Sequence, residues 1–414
     1  MPKETRITPR TRFHVMAKPT GPLCNLNCSY CFYLSKQKLL ETSNKWHMSD
    51  EVLEKFIRQY IEGQNHNEIV FSWQGGEPTL CGLDFFRKVI ALEKKYCPHG
   101  KRIENDLQTN GILLNDEWCQ FLRENHFLVG LSIDGPRQLH DKHRVDKKGG
   151  PTFDKVFNSI KLLKKHGVQF NTLTTVNRDN AKQPLEVYRF LRDEIGPRAI
   201  QFNPVVEVKV FEDTAPPFWG SFSPPKTGHP MAEPGSEYSI VTDWSVNADD
   251  YGDFLCTIFD EWYENDVGRT FVYNFECAVS QWMGVYGVMC AFGPICGKGL
   301  AIEHDGSVYS CDHFVYPEYR LGNIKQKSLA EMVFSNQQRK FGFSKPETLP
   351  QYCKDCEFLF ACHGGCPKNR ILSSPDGQQG LNYLCRGLKK YFGHIKPYVE
   401  DMMRQIKAQQ NVSV

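Results

Sequence analysis

The chain has 414 residues, 50 Lys and Arg against 48 Asp and Glu, a net charge of +2, and 16 cysteines. The length suits two domains with a substantial core, and the charge balance leaves no nucleic-acid footprint. The cysteines outnumber what a core needs. The polar, basic stretch Met1–Arg12 is followed by no long apolar run, so the thiols point to metal or cluster ligation in a reducing, cytoplasmic setting rather than to a small secreted disulfide scaffold. Cys277–Gly297 is uncharged, but Gln281, Pro294 and several glycines interrupt it, so it reads as a buried segment and not a membrane span.

From Phe13 to Val206 strand and helix patterns alternate. Strands are expected at Phe13–Lys18, Glu68–Trp73, Glu104–Gln108, Leu128–Ile133, Phe170–Val176 and Ala199–Pro204. The helices between them fall at Leu83–Tyr96, Asp116–Glu124, Thr152–His166 and Leu185–Glu194, with one more beginning after the N-cap candidate Ser49. That one buries Val52, Leu53, Phe56, Ile57, Tyr60 and Ile61 on a single face. Alternating βα units imply a parallel sheet with helices outside, and six units imply an open, partial barrel with its ligands at the carboxyl ends of the strands.

The polar, Gly-rich motifs fall at those ends. Cys24, Cys28 and Cys31 form CxxxCxxC after the first strand. Gln74-Gly75-Gly76-Glu77-Pro78 follows the second, Gln108-Thr109-Asn110-Gly111 the third, and Ser132-Ile133-Asp134-Gly135-Pro136 closes the fourth. Three thiolates hold three corners of a [4Fe–4S] cube and leave one iron open. A zinc site would need a fourth Cys or His, and between Arg12 and Trp46 only His14, inside the strand pattern, is available.

Glu207 to Ser245 is rich in Pro, Gly and Ser, including Ala215-Pro216-Pro217 and Ser223-Pro224-Pro225. It reads as a linker or a flap at the substrate's edge, or as a disordered insertion. Tyr251–Asp266 follows as an amphipathic helix burying Phe254, Leu255, Ile258, Phe259 and Trp262. Then come Cys290, Cys296, Cys311, Cys353, Cys356, Cys362, Cys366 and Cys385, enough for two four-cysteine sites, either zinc ribbons or iron–sulfur clusters. Cys277 and the other spare thiols read as buried apolar residues. His363 is a candidate donor to cluster sulfur, with a solvated loop histidine as the plainer reading.

CxxxCxxC followed by GGEP resembles the radical S-adenosylmethionine superfamily over the first half of the chain. The later cysteines resemble its SPASM extension. Within that group the match, over nearly the whole chain, is to the anaerobic sulfatase-maturating enzymes. The resemblance implies an α/β fold: a partial (βα)6 barrel at 1–206, a linker with connecting helices at 207–289, a small cysteine-rich SPASM domain at 290–385, and a C-terminal helix at 386–414. It implies that S-adenosylmethionine chelates the open iron through its methionyl amine and carboxylate. Tyr30 and Val206 would meet the adenine, Gly76 with its neighbours Gly75 and Glu77 the amine, and Ser132 and Arg144 the carboxylate or ribose. On charge spacing alone Arg144 could equally make a surface ion pair with Asp141 or Asp146.

The resemblance further assigns three [4Fe–4S] clusters: one on Cys24, Cys28 and Cys31, one on Cys290, Cys296, Cys311 and Cys366, and one on Cys353, Cys356, Cys362 and Cys385. It makes Asp312 the catalytic base, where position alone offers a solvated acid, with His313 as the competing base. The implied reaction is oxidation of a Cys or Ser to Cα-formylglycine by a 5′-deoxyadenosyl radical. The implied substrate is an unfolded or nascent sulfatase polypeptide carrying Cys/Ser-x-Pro/Ala-x-Arg. Flavodoxin or ferredoxin would donate electrons, and neither nucleic acid nor membrane takes part. The alternatives are a maturase that crosslinks another ribosomal peptide, and a non-catalytic iron–sulfur or zinc scaffold.

Overall fold

A computed structural model describes residues 12–40, 47–213, 215, 223–285 and 289–412. The six expected strands form as β1 (His14–Lys18), β2 (Glu68–Trp73), β3 (Arg102–Thr109), β4 (Leu128–Ser132), β5 (Phe170–Val176) and β6 (Ala199–Pro204). All six are parallel and lie in sequence order. Period-two alternation sets their faces. Along β5, for example, buried and half-buried residues alternate without a break.

The buried row faces the helices. Ser49 starts the Asp50–Gly63 helix by accepting from the Val52 amide at 3.3 Å, and that helix buries the six residues its period selects. Phe56 meets Phe71 of β2 edge-on at 5.7 Å, and Phe86 of the Gly82–Tyr96 helix meets Trp73 at 5.8 Å. Each such side chain contributes about 1.5–3 kcal/mol by leaving water. The half-buried row, which includes Asp106, Gln108, Ser132, Asn171 and Gln201, forms the opposite, inner face of the sheet.

The structure departs from expectation in three places. The fifth helix is α-helical only over Pro184–Arg189 and widens to a π-helical turn over Phe190–Ile195; there Gly196, at φ +56°, donates to the Leu191 carbonyl five residues back. The sheet does not stop at β6. β7 (Phe271–Val272) joins β6, while β8 (Gly299–Glu303) lies parallel beside β1 and carries β9 (Ser307–Tyr309) and β10 (Arg320–Asn323) as antiparallel neighbours. The described parts of 207–245 are packed rather than disordered. Val208 bridges Val241, Lys226 bridges Ser373, and the Glu207 amide donates to Ser245 Oγ at 3.0 Å. Pro216 and Pro217 lie outside the described residues.

The Ala248–Asn265 helix buries the expected Phe254, Leu255, Ile258, Phe259 and Trp262. Against it lies the C-terminal helix, Cys385–Val412. Backbones touch here: a Cβ on Gly387 would sit 1.8 Å from the Ala248 carbonyl oxygen. The last cysteine of the sequence thereby stands at a helix start anchored to the barrel. Of the five spare thiols, Cys277 in the Tyr273–Trp282 helix, Cys119 and Cys256 are buried as expected, whereas Cys81 and Cys97, at the two ends of the Gly82–Tyr96 helix, are only half-buried. Among the described residues no helix is long and apolar enough to cross a membrane.

Candidate active site at the strand ends

The CxxxCxxC loop is held by the ends of β2, β3 and β4. The Gly76 amide donates to the Gly21 carbonyl at 2.8 Å, and the Glu77 amide donates to the Leu23 carbonyl at 2.9 Å. A Cβ on Gly76 would lie 2.0 Å from the Leu23 oxygen, so only glycine lets the two loops meet. The Glu77 carboxylate is fully buried. It accepts from the Thr79 amide (3.1 Å) and hydroxyl (2.6 Å), the Thr109 hydroxyl (2.8 Å) and the Asn110 amide (2.8 Å). Glu77 thus ties the Gly-rich turn to the end of β3. Asn110 in turn donates to Asn25 Oδ1 at 2.7 Å and reaches Cys24 Sγ at 3.7 Å.

Tyr30 and Arg144 converge on Asp134, a fully buried carboxylate in the motif that closes the fourth strand, to which sequence patterns assign no role. The Tyr30 hydroxyl donates to Asp134 Oδ2, and Arg144 Nε lies 3.1 Å from the same oxygen. The Thr175 amide donates to Oδ1 at 3.0 Å. Burial holds the Tyr30 phenol well above its ordinary pKa, so it remains a donor. The surface-pair reading of Arg144 fails. Asp141 instead accepts from the Thr152 and Phe153 amides, and Asp146 from those of Lys148 and Gly150. Ser132 Oγ accepts from Gln108 Nε2 at 3.0 Å. Val206 is buried, and its carbonyl accepts from Lys368 Nζ at 2.8 Å.

Among the described residues no three His, Cys, Asp or Glu side chains close around one point as ligands of a single ion would. The thiols are instead gathered more loosely, in three sets. Cys28 is pushed up to about 12 by burial, with Cys31 and Cys24 adding to it. Cys311 is pushed well up by burial and then by Cys290, Cys366 and Cys296. Cys385 rises to about 12 through burial and then Cys362, Cys353 and Cys356. Buried thiols that repel one another's charge stay protonated unless a cationic centre replaces the proton. The donor sets therefore fit iron–sulfur clusters. Two basic residues brace the loops: buried Lys345 donates through Nζ to the carbonyls of Ala291 (2.8 Å) and Gly293 (2.5 Å), and half-buried Arg370 donates to those of Gly364 (3.2 Å) and Lys345 (2.5 Å). Sequence offered no signal for either residue, since basic side chains are spread along the whole chain.

Asp312 is not a solvated acid. It pairs with Lys18 at the end of β1, with 17% and 3% of the two side chains exposed. Burial acts to raise its pKa, but Lys18 leads the groups that lower it, and the net direction is down. His313 is lowered to about 4 by burial and then Lys368, so its ring is neutral at pH 7. His363 is also not a solvated loop residue. It is half-buried at φ +47°, and burial lowers it to about 4.

The radical SAM superfamily profile matches residues 19–191, and the profile of the SPASM iron–sulfur cluster-binding domain matches 290–357. A serine-type anaerobic sulfatase-maturating enzyme of Bacteroides thetaiotaomicron is 46% identical over 409 residues, covering 99% of this chain and 95% of that protein. The chain belongs to the anaerobic sulfatase-maturating enzymes. A cysteine-type member from Clostridium perfringens is 33% identical, covering 95% of this chain and 99% of that one. The structure of native anSMEcpe with bound AdoMet and Cp18Cys peptide superposes with a TM-score of 0.80 at 32% identity, covering 96% of this chain and all of that one.

As a member of this radical S-adenosylmethionine family, the protein uses [4Fe–4S] clusters and S-adenosylmethionine. The activity of an anaerobic sulfatase-maturating enzyme is oxidation of a peptidyl Cys or Ser to formylglycine. In this enzyme the rim of β1 to β6 carries Tyr30, the Gly75–Gly76–Glu77 turn, Ser132 and Arg144 around the three-cysteine loop. Asp312 enters that rim from the cysteine-rich half, because β8 runs beside β1 with Lys18 opposite Glu303.

Proposed function

We propose that this enzyme oxidises a serine, in preference to a cysteine, of an unfolded or nascent sulfatase polypeptide carrying Ser-x-Pro/Ala-x-Arg, with Asp312 as the catalytic base. The observation that carries the base assignment is the buried Lys18–Asp312 pair beside Cys311. It holds the carboxylate ionised, and so able to accept a proton, in a place where an unpaired acid would be neutral. Serine is favoured because the serine-type relative shares 46% of its residues with this chain and the cysteine-type relative 33%.

When bound, the clusters and S-adenosylmethionine supply hydrogen-atom abstraction at the substrate's β-carbon and a sink for the electron left behind. Cys24, Cys28 and Cys31 would hold the cluster with the open iron. Cys290, Cys296, Cys311 and Cys366 would hold one auxiliary cluster, and Cys353, Cys356, Cys362 and Cys385 the other. Gly75 and Gly76 would offer backbone to the methionyl amine, with Glu77 fixing their turn. Arg144 and Ser132 would hold the carboxylate and ribose, and Tyr30 and Val206 the adenine. Asp312 takes the serine hydroxyl proton as the C=O bond forms. Lys18 holds the carboxylate in place and shields it from protonation beforehand. A small carrier of the flavodoxin or ferredoxin class supplies the reducing electron.

The test is an anaerobic assay with Ser-x-Pro-x-Arg and Cys-x-Pro-x-Arg peptides, read by mass spectrometry. Serine should lose two hydrogens at the target residue, and faster than cysteine reacts. Asp312→Asn should keep its iron and still release 5′-deoxyadenosine, while formylglycine falls at least about a hundredfold, the scale of general-base catalysis. Full product formation by that variant would remove Asp312 from the role, and a thioether crosslink in the peptide would replace the reaction itself.

A further inference from the structure

Most buried carboxylates of this protein are already matched. Asp134 has Arg144, Glu207 has Lys368, Asp312 has Lys18, and Glu77 accepts four hydrogen bonds. Glu93 lacks a cation, but it is 4% exposed, closed in against Asn105 on the helix-covered side. Asp106 differs from all of these. It sits on the inner face of β3, between buried Asn105 and buried Leu107, yet is itself only half-buried. Its hydrogen-bond partner is the Ser72 hydroxyl of β2. Burial pushes its carboxyl up to about 6, with Ser72 opposing, and among the described residues no Lys or Arg acts on it. A carboxylate that is desolvated, reachable from the inner face and without a counter-charge costs free energy until a cation arrives.

We propose that Asp106 is a specificity-determining residue that receives the guanidinium of the substrate's arginine on the inner face of the barrel. This rests on the reading of a Ser-x-Pro-x-Arg substrate. The reach agrees. Asp106 lies three residues before the end of β3, about 10 Å below the rim at the rise of a strand. Serine and arginine four residues apart span at most about 14 Å. A peptide whose serine lies at the rim can therefore lower its arginine to Asp106. The wall it passes is polar: Gln108, Ser132, Asn171 and Gln201 are all half-buried on that face. Arginine suits the position better than lysine, because its fork can bond both carboxylate oxygens at once.

The experiment measures binding of fluorescein-labelled peptides to reconstituted holoenzyme without reductant, by anisotropy. One peptide carries Ser-x-Pro-x-Arg and the other citrulline in place of arginine. Wild type should bind the arginine peptide about tenfold to a hundredfold more tightly, the scale of a charge-assisted hydrogen bond. In Asp106→Asn that ratio should fall toward unity. Both peptides are read on one preparation, so a partly folded variant weakens both alike and leaves the ratio meaningful. An unchanged ratio in Asp106→Asn, or no preference in wild type, overturns the assignment. Wild-type turnover of the arginine peptide is measured in parallel. If formylglycine forms while the ratio is flat, only the Asp106 role falls; if none forms, the substrate reading falls and takes the Asp106 role with it.

Discussion

Asp134→Asn is the most direct test of the buried network beneath the cysteine loop. Asp134 is fully buried, and Arg144, with 8% of its side chain exposed, lies 3.1 Å from it. At that distance and an effective dielectric of about 20 the two charges attract by about 5 kcal/mol. Asparagine keeps the shape and can still accept from Tyr30, but it strands the guanidinium. Removing one partner of a buried pair costs about 3–5 kcal/mol, a large share of the roughly 5–15 kcal/mol by which domains are stable. Arg144→Met removes the other charge, so the double variant should be less destabilised than the two single losses combined. The assay is anaerobic urea unfolding of wild type, both single variants and the double variant, followed by intrinsic fluorescence. A coupling of at least about 2 kcal/mol is expected. If the single losses add to within about 0.5 kcal/mol, the limit for independent sites, Asp134 and Arg144 do not act as a unit and the reasoning fails.

Two further predictions concern the cysteine-rich half and its seam with the barrel. Reconstituted enzyme should hold about twelve iron atoms in three cubes; Cys290→Ala with Cys366→Ala should cost about four, and Cys290→Ala with Cys385→Ala about eight. Equal losses from the two pairs would refute the grouping, and about four irons with about two zincs in wild type would restore the zinc ribbons. Lys36 is fully buried over the Tyr316 ring at 3.2 Å, and burial lowers it to about 7 from 10.5. The unfolded chain therefore binds more protons than the folded one between these values, and the penalty for burying Lys36 fades as pH rises through that window. Relative to Lys36→Met, wild type should gain about 2 kcal/mol between pH 7 and pH 9, from at most about 1.4 kcal/mol per pH unit. A stability difference that stays flat across that window would contradict the depressed pKa.

Local patterns settled much of this protein in advance. The spacing of Cys24, Cys28 and Cys31, the turn at Gly75–Gly76 and the apolar face of the Asp50–Gly63 helix each depend on residues within a few positions of one another. Spacing and period carry that information directly. The positions of β2, β5 and β6 were legible for the same reason. The Leu185–Glu194 pattern was legible as helix but not as a π-helical turn, because the widened hydrogen bond to Leu191 depends on where Gly196 turns the chain.

What the sequence left open depends on contacts between distant segments. Eight thiols in a row of text do not say which of them meet; in the folded chain Cys290, Cys296 and Cys366 act on Cys311, while Cys353, Cys356 and Cys362 act on Cys385. Asp312 reads as an acid beside a cysteine until β8, some 285 residues after β1, lies parallel to it and brings Lys18 alongside. Asp134 and Asp106 look alike as letters near strand ends. Only the folded sheet gives Asp134 an arginine and sets Asp106 beside a serine hydroxyl, because the charge environment of a side chain is set by neighbours in space rather than along the chain.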